Sequence, residues 1–76
     1  MNNARRDTLK KISEKLEALK DELEAVRDEE QEAFDNMPEG LQESAKGEAA
    51  QNAIENLEAA MDSLEETANT IENATE

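Results

Sequence analysis

Cysteine, histidine, tryptophan and tyrosine are all missing from this 76-residue chain, and Phe34 is its only aromatic residue. Without cysteine there can be no disulfide and no thiolate nucleophile. Without histidine the chain lacks the side chain that most often binds metals and moves protons near neutral pH. No stretch approaches the ~20 apolar residues that cross a bilayer, and the polar start lacks the apolar centre of a secretion signal. A cytoplasmic protein with no membrane partner is therefore expected. One proline, Pro38, and two glycines, Gly40 and Gly47, leave long stretches free of helix breakers.

Positive charge is also scarce. Eight basic residues stand against twenty-one acidic ones, a formal net of −13. That balance argues against direct binding to DNA or RNA, because neutralised phosphates supply most of such affinity. The charge is uneven along the chain. Residues 1–20 carry six basic and three acidic side chains, a net of +3, whereas residues 21–76 carry two and eighteen, a net of −16.

What the chain does contain is an apolar beat at alternating three- and four-residue spacing. It runs through Leu9, Ile12, Leu16, Leu19, Leu23 and Val26, and resumes as Ala50, Ile54, Leu57, Met61, Leu64, Ala68 and Ile71. That period lays one apolar seam along each of two long helices. The first seam continues through Glu30, Ala33 and Met37, so a carboxylate falls on a core position there.

The spacing predicts an all-α chain with a helix over 7–36, a turn over 37–44 and a helix over 45–73. Asp7 or Thr8 is the expected first cap, and Ser44 the second. Pro38 ends the first helix because it disfavours helical geometry in the residue before it. Pro38-Glu39-Gly40 reads as a turn, with Pro38 at a first helical position and Gly40 relieving strain. Leu41 is expected to pack back onto Phe34 and Met37. Gly47 falls in the first turn of the second helix, where glycine costs least.

Antiparallel pairing explains the charges as well as the seams. Layers of Leu16 with Ile71, Leu19 with Ala68, Leu23 with Leu64, and Val26 with Met61 centre the turn near residue 43. The same register sets Lys20 beside Glu65 and Arg27 beside Glu58, and lays the basic start of the chain against its acidic end. The expected fold is a coiled-coil-like antiparallel two-helix hairpin. A hairpin of this size buries too little surface to be comfortably stable alone. Ala49, Ala53, Ala60, Thr67 and Ala74 form a second stripe of small residues, which suits dimerisation into a four-helix bundle.

Chemistry has few places to reside. Oxygen-rich runs can bind calcium, but counting from Asp28 puts Ala33 where an EF-hand loop needs glycine. Di-metal bundle sites pair glutamates with a Glu-x-x-His motif, which a chain without histidine cannot supply. Two carboxylates acting as general acid and base need an enclosed cleft. No metal, cofactor or enzymatic activity is expected. Two charged clusters remain. The acidic one comprises Glu29, Glu32, Asp35, Glu39 and Glu43 around the turn, and suits a basic protein surface by standing in for phosphates. The basic one comprises Arg5, Arg6 and Lys10, with Lys11 and Lys15 beyond, and could grip a phosphate-bearing ligand.

The run Asp28-Glu29-Glu30-Gln31-Glu32-Ala33-Phe34-Asp35-Asn36-Met37-Pro38-Glu39-Gly40-Leu41-Gln42 resembles small acidic helical-hairpin proteins of phages and bacterial mobile elements. The likeness continues through Ser44, Lys46, Gly47 and Glu48 into Ile54-Glu55-Asn56-Leu57-Glu58, covering about Leu23 to Leu64. Met37 and Gly40 depart from the Leu and Ser usual there, a change that preserves the turn. The resemblance implies a viral or mobile-element setting in a bacterial host cytoplasm, and no catalytic site. By analogy with small acidic phage proteins, the expectation is a non-enzymatic anti-defence inhibitor, such as an anti-CRISPR, that binds a host protein with a basic surface. Two alternatives are a sponge that sequesters a signalling nucleotide through the basic N-terminus and an assembly scaffold.

Overall fold

A computed structural model describes all 76 residues. Three helices follow in order: α1 over Asn3–Asp35, a single turn α2 over Glu39–Gln42, and α3 over Ala45–Ala74. α1 and α3 lie side by side and antiparallel, forming a hairpin whose Cα atoms extend 58 × 15 × 12 Å. Its radius of gyration is 17.3 Å, against about 11 Å for a compact domain of this length. No helix is long and apolar enough to cross a membrane.

The helix ends depart from the expected ones in instructive ways. α1 begins at Asn3 rather than residue 7, because the Asn2 side chain accepts a hydrogen bond from the Arg5 amide at 2.8 Å and caps the first turn. Thr8, an expected cap, lies inside the helix and donates its hydroxyl to the Ala4 carbonyl. The turn is itself partly helical. Pro38 sits just before α2 with extended geometry, and its carbonyl accepts from the Leu41 and Gln42 amides. No residue has a positive φ, so Gly40 relieves no backbone strain. Ser44 does occupy the position before α3, but its hydroxyl donates to the Leu41 carbonyl instead of capping. Leu41 is 43% exposed, and Gln42 Nε2 closes that end by donating to the Phe34 carbonyl at 3.1 Å.

The two expected charge pairings are present. Lys20 Nζ lies 3.0 Å from Glu65 Oε2, and Arg27 Nη1 lies 3.3 Å from Glu58 Oε1. At the open end, Arg6 Nε donates to the Thr75 carbonyl at 3.0 Å and ties the two termini together.

The core is thin. Ala50, Ile54, Met61 and Ala68 are its only buried hydrophobic residues, and no side chain is completely enclosed. All of them belong to α3, whose seam faces α1 as its spacing predicts. α1 is rotated from expectation. Leu9, Leu16 and Leu23 turn inward, but the neighbours that accompany them are Ser13, Lys20 and Arg27. Ile12, Leu19 and Val26, expected in the seam, are 38%, 48% and 49% exposed, and Ala33 is exposed too. Leu19 and Val26 lie about 60° round the helix from Leu16 and Leu23, and the contact with α3 is centred on the side of Leu16, Lys20, Leu23 and Arg27. The lysine and arginine stems lie over the helix contact while their heads reach Glu65 and Glu58.

Gly47 has a role that spacing alone does not disclose. It is buried, and a β-carbon built on it would meet the Gln42 backbone. Glycine is needed there so that α2 can fold back against the start of α3.

Candidate interaction surfaces

The rotation of α1 gives the hairpin two unlike broad faces. One edge is polar and carries the bridges from Lys20 and Arg27 to Glu65 and Glu58. Arg27 is also held by Asp28 at 2.8 Å, with Glu24 4.0 Å away. Hydrogen bonding to Glu65, reinforced by the charges of Glu65, Glu17 and Asp62, raises the Lys20 amine above its ordinary 10.5. Hydrogen bonding to Asp28, with a smaller contribution from Glu58, raises Arg27 likewise. Both cations therefore stay charged throughout the physiological range and serve the register.

At the turn end, Glu29, Glu32, Asp35, Glu39 and Glu43 are all exposed. None of the five takes part in an ion pair. Only Asp35 has a side-chain partner, accepting a hydrogen bond from Gln31 at 3.0 Å. Seven carboxylates lie between Asp28 and Glu43 without one basic residue. The short helix α2 carries Glu39 and leads to Glu43, so these carboxylates are spread over the rounded tip and the last turns of α1. Phe34 and Met37 are half-buried beneath them. No three carboxylates converge closely enough to hold a metal ion.

The basic cluster is divided by the fold. Arg6 and Lys10 line a cleft of about 410 Å³ between the start of α1 and the end of α3. Asp7, Glu14, Glu17 and Glu72 line the same cleft, so two cations face four carboxylates. Arg6 is already engaged with the Thr75 carbonyl. Arg5 points elsewhere, toward a shallow hollow of about 320 Å³ with Met1, Ala4, Thr8 and Leu9. The three residues do not converge on one phosphate-sized point.

On the edge opposite the bridges, the small-residue stripe of α3 lies beside the seam, with Ala53 and Ala60 half-buried and Ala49, Thr67 and Ala74 exposed. Sequence spacing finds the stripe; the exposed Ile12, Leu19 and Val26 beside it were hidden by their fit to the same heptad. A comparison with known proteins adds no assignment: no protein-family model, curated protein or solved structure matches this chain.

Proposed function

We propose that this chain is a non-enzymatic interaction protein of a phage or mobile element. In this reading it dimerises into a four-helix bundle and inhibits a nucleic-acid-binding defence complex of its bacterial host. The setting rests on the resemblance of residues 23–64 described above. The mechanism is electrostatic: carboxylates on a rigid helical tip occupy a basic groove that otherwise receives phosphates.

The observation that carries this reading is the state of the tip carboxylates. Glu32, Asp35, Glu39 and Glu43 are exposed and free of any cation, on backbone held by helical hydrogen bonds. A basic partner thus has no internal ion pair to displace, and the short helix limits the ordering cost of binding. The nucleotide-sponge alternative is disfavoured by the cleft at the other end, where carboxylates outnumber cations around Arg6 and Lys10.

Phage plating on a host that carries such a defence complex tests the proposal directly. The chain should restore plaque formation, and reversal of Glu32, Asp35, Glu39 and Glu43 to lysine should abolish that protection while far-ultraviolet circular dichroism stays helical. Undiminished protection by the reversed variant overturns the electrostatic mechanism. Binding to the isolated complex should also weaken steeply with added salt, because exposed charges are screened beyond about 8 Å at physiological ionic strength.

A further inference from the structure

The hairpin leaves one long face uncovered, and its composition identifies what covers it. Ile12, Leu19 and Val26 each precede by one residue a member of the polar edge: Ser13, Lys20 and Arg27. Leu57, Leu64 and Ile71 likewise precede Glu58, Glu65 and Glu72. One residue is about 100° of helical rotation. Because α1 and α3 run antiparallel, both sets turn to the same side of the hairpin. Six aliphatic side chains therefore line one face over residues 12–26 of α1 and 57–71 of α3, half-buried on α3 and exposed on α1.

Charge distribution singles out the same face. α3 carries Glu48, Glu55, Asp62 and Glu66 in addition to its bridge glutamates, and helical rotation places all of them away from the apolar face. The shoulder of α3 beside the apolar face reads Ala49, Ala53, Asn56, Ala60, Ser63 and Thr67, with no carboxylate. In a chain of net charge −13 that exclusion is informative, since depletion of charge marks the centre of a buried contact.

Area gives the size of the missing partner. A compact protein of this mass exposes about 4,700 Å², whereas this chain exposes 5554 Å². The surplus of roughly 900 Å² is close to the ~800 Å² that one partner contributes to a standard interface. With only four buried hydrophobic residues, the hairpin stands to gain stability by covering that face. A partner present whenever the chain is made is another copy of the chain.

The outer shoulder of α1 sets the orientation. Lys11 and Lys15 lie on it toward the termini, and Glu22 and Glu29 lie on it toward the turn. A copy with its turn at the opposite end brings α1 onto α1 antiparallel, so that lysines meet glutamates twice by symmetry. A copy with its turn at the same end lays α1 on the uncharged shoulder of α3 and leaves all four charges unpaired.

We propose that this face is covered by a second copy of the chain with the turns at opposite ends, Leu19 lying nearest the two-fold axis. This arrangement rests on the dimer clause of the function proposed above. It assigns Glu29 to the subunit contact and leaves Glu32, Asp35, Glu39 and Glu43 free at two tips on opposite ends of the bundle.

The test uses Gly40→Cys carrying a nitroxide label, because the chain has no other thiol and an added β-carbon at Gly40 meets nothing within 4 Å. Light scattering should give twice the chain mass, and dipolar spectroscopy a label separation near the 58 Å length of the hairpin. A separation within the bundle width, roughly 20–25 Å for two helix diameters, in a dimeric sample overturns the orientation and spares the dimer. A folded monomer at every concentration overturns both. Leu19→Lys should lower the measured mass to that of one chain, whereas Leu41→Lys, exposed but off this face, should leave the dimer intact. A dimer that survives Leu19→Lys also overturns the assignment of the face. Loss of anti-defence activity in the tip variant alone bears on the electrostatic mechanism and leaves this geometry standing.

Discussion

Gly47 and Gln42 meet through bare backbone: a β-carbon added to Gly47 would clash with the Gln42 carbonyl oxygen. That contact lets α2 fold against α3 and shapes the tip on which the free carboxylates stand. Gly47→Ala should therefore destabilise the hairpin by roughly 1–3 kcal/mol, the range for overpacking, even though alanine favours a helix by about 1 kcal/mol. Gly40→Ala, with open space around it, should be neutral or stabilising by up to about 1 kcal/mol. Urea unfolding followed by circular dichroism separates the two.

The thin core makes its few enclosed side chains important. Met61→Ala should cost roughly 2–3 kcal/mol, the low end for truncating a buried methionine, because Met61 lies 8% exposed at the middle of α3. Leu41→Ala, at 43% exposure, should change stability by less than about 0.5 kcal/mol. The comparison is made by thermal unfolding at matched protein concentration, since association raises the midpoint by mass action.

The Lys20–Glu65 bridge predicts an alkaline limit. The folded-state value of Lys20 lies above its ordinary 10.5, chiefly through the hydrogen bond to Glu65. A raised value means that the bridge's contribution is fully present below the unfolded value and is lost as pH rises through the folded one. Wild type should exceed Glu65→Gln in melting temperature at pH 8, and the gap should close at pH values beyond the lysine range. A gap that persists there, measured by scanning calorimetry, would contradict the assignment.

Salt should stabilise the protein. Four ion-pair contacts involving only Lys20 and Arg27 favour the fold, while a net of −16 over residues 21–76 opposes it. Exposed pairs contribute little each, and compacting excess like charge is costly. Raising sodium chloride from dilute buffer to 1 M should therefore raise the melting temperature by several degrees. A fall would mean that the bridges outweigh the repulsion.

Much of this architecture is legible in the chain itself, for physical reasons that are local. The heptad spacing of α3 predicts its buried face, from Ala50 through Ile54 and Met61 to Ala68, because one face of a helix is a matter of arithmetic. Pro38 and the charges at Lys20, Arg27, Glu58 and Glu65 suffice for the antiparallel register. The tip carboxylates are recognisable as a solvated cluster because nothing basic lies near them in sequence.

Other features required the two helices to be set against each other. Spacing counts Ile12, Leu19 and Val26 as seam residues just as it counts Leu16 and Leu23, and cannot say which of the two columns the partner helix covers. Packing chose Ser13, Lys20 and Arg27 for the contact, and the long stems of Lys20 and Arg27 cover the seam while their heads bridge to α3. It likewise separated Arg5 from Arg6 and Lys10, and made Gly47 a point of close approach. The amino-acid sequence by itself determined two helices, their direction and their register, since periodicity and charge act along the chain. The tertiary structure decided which apolar residues remain outside, since burial depends on how much of each helix one neighbour can cover.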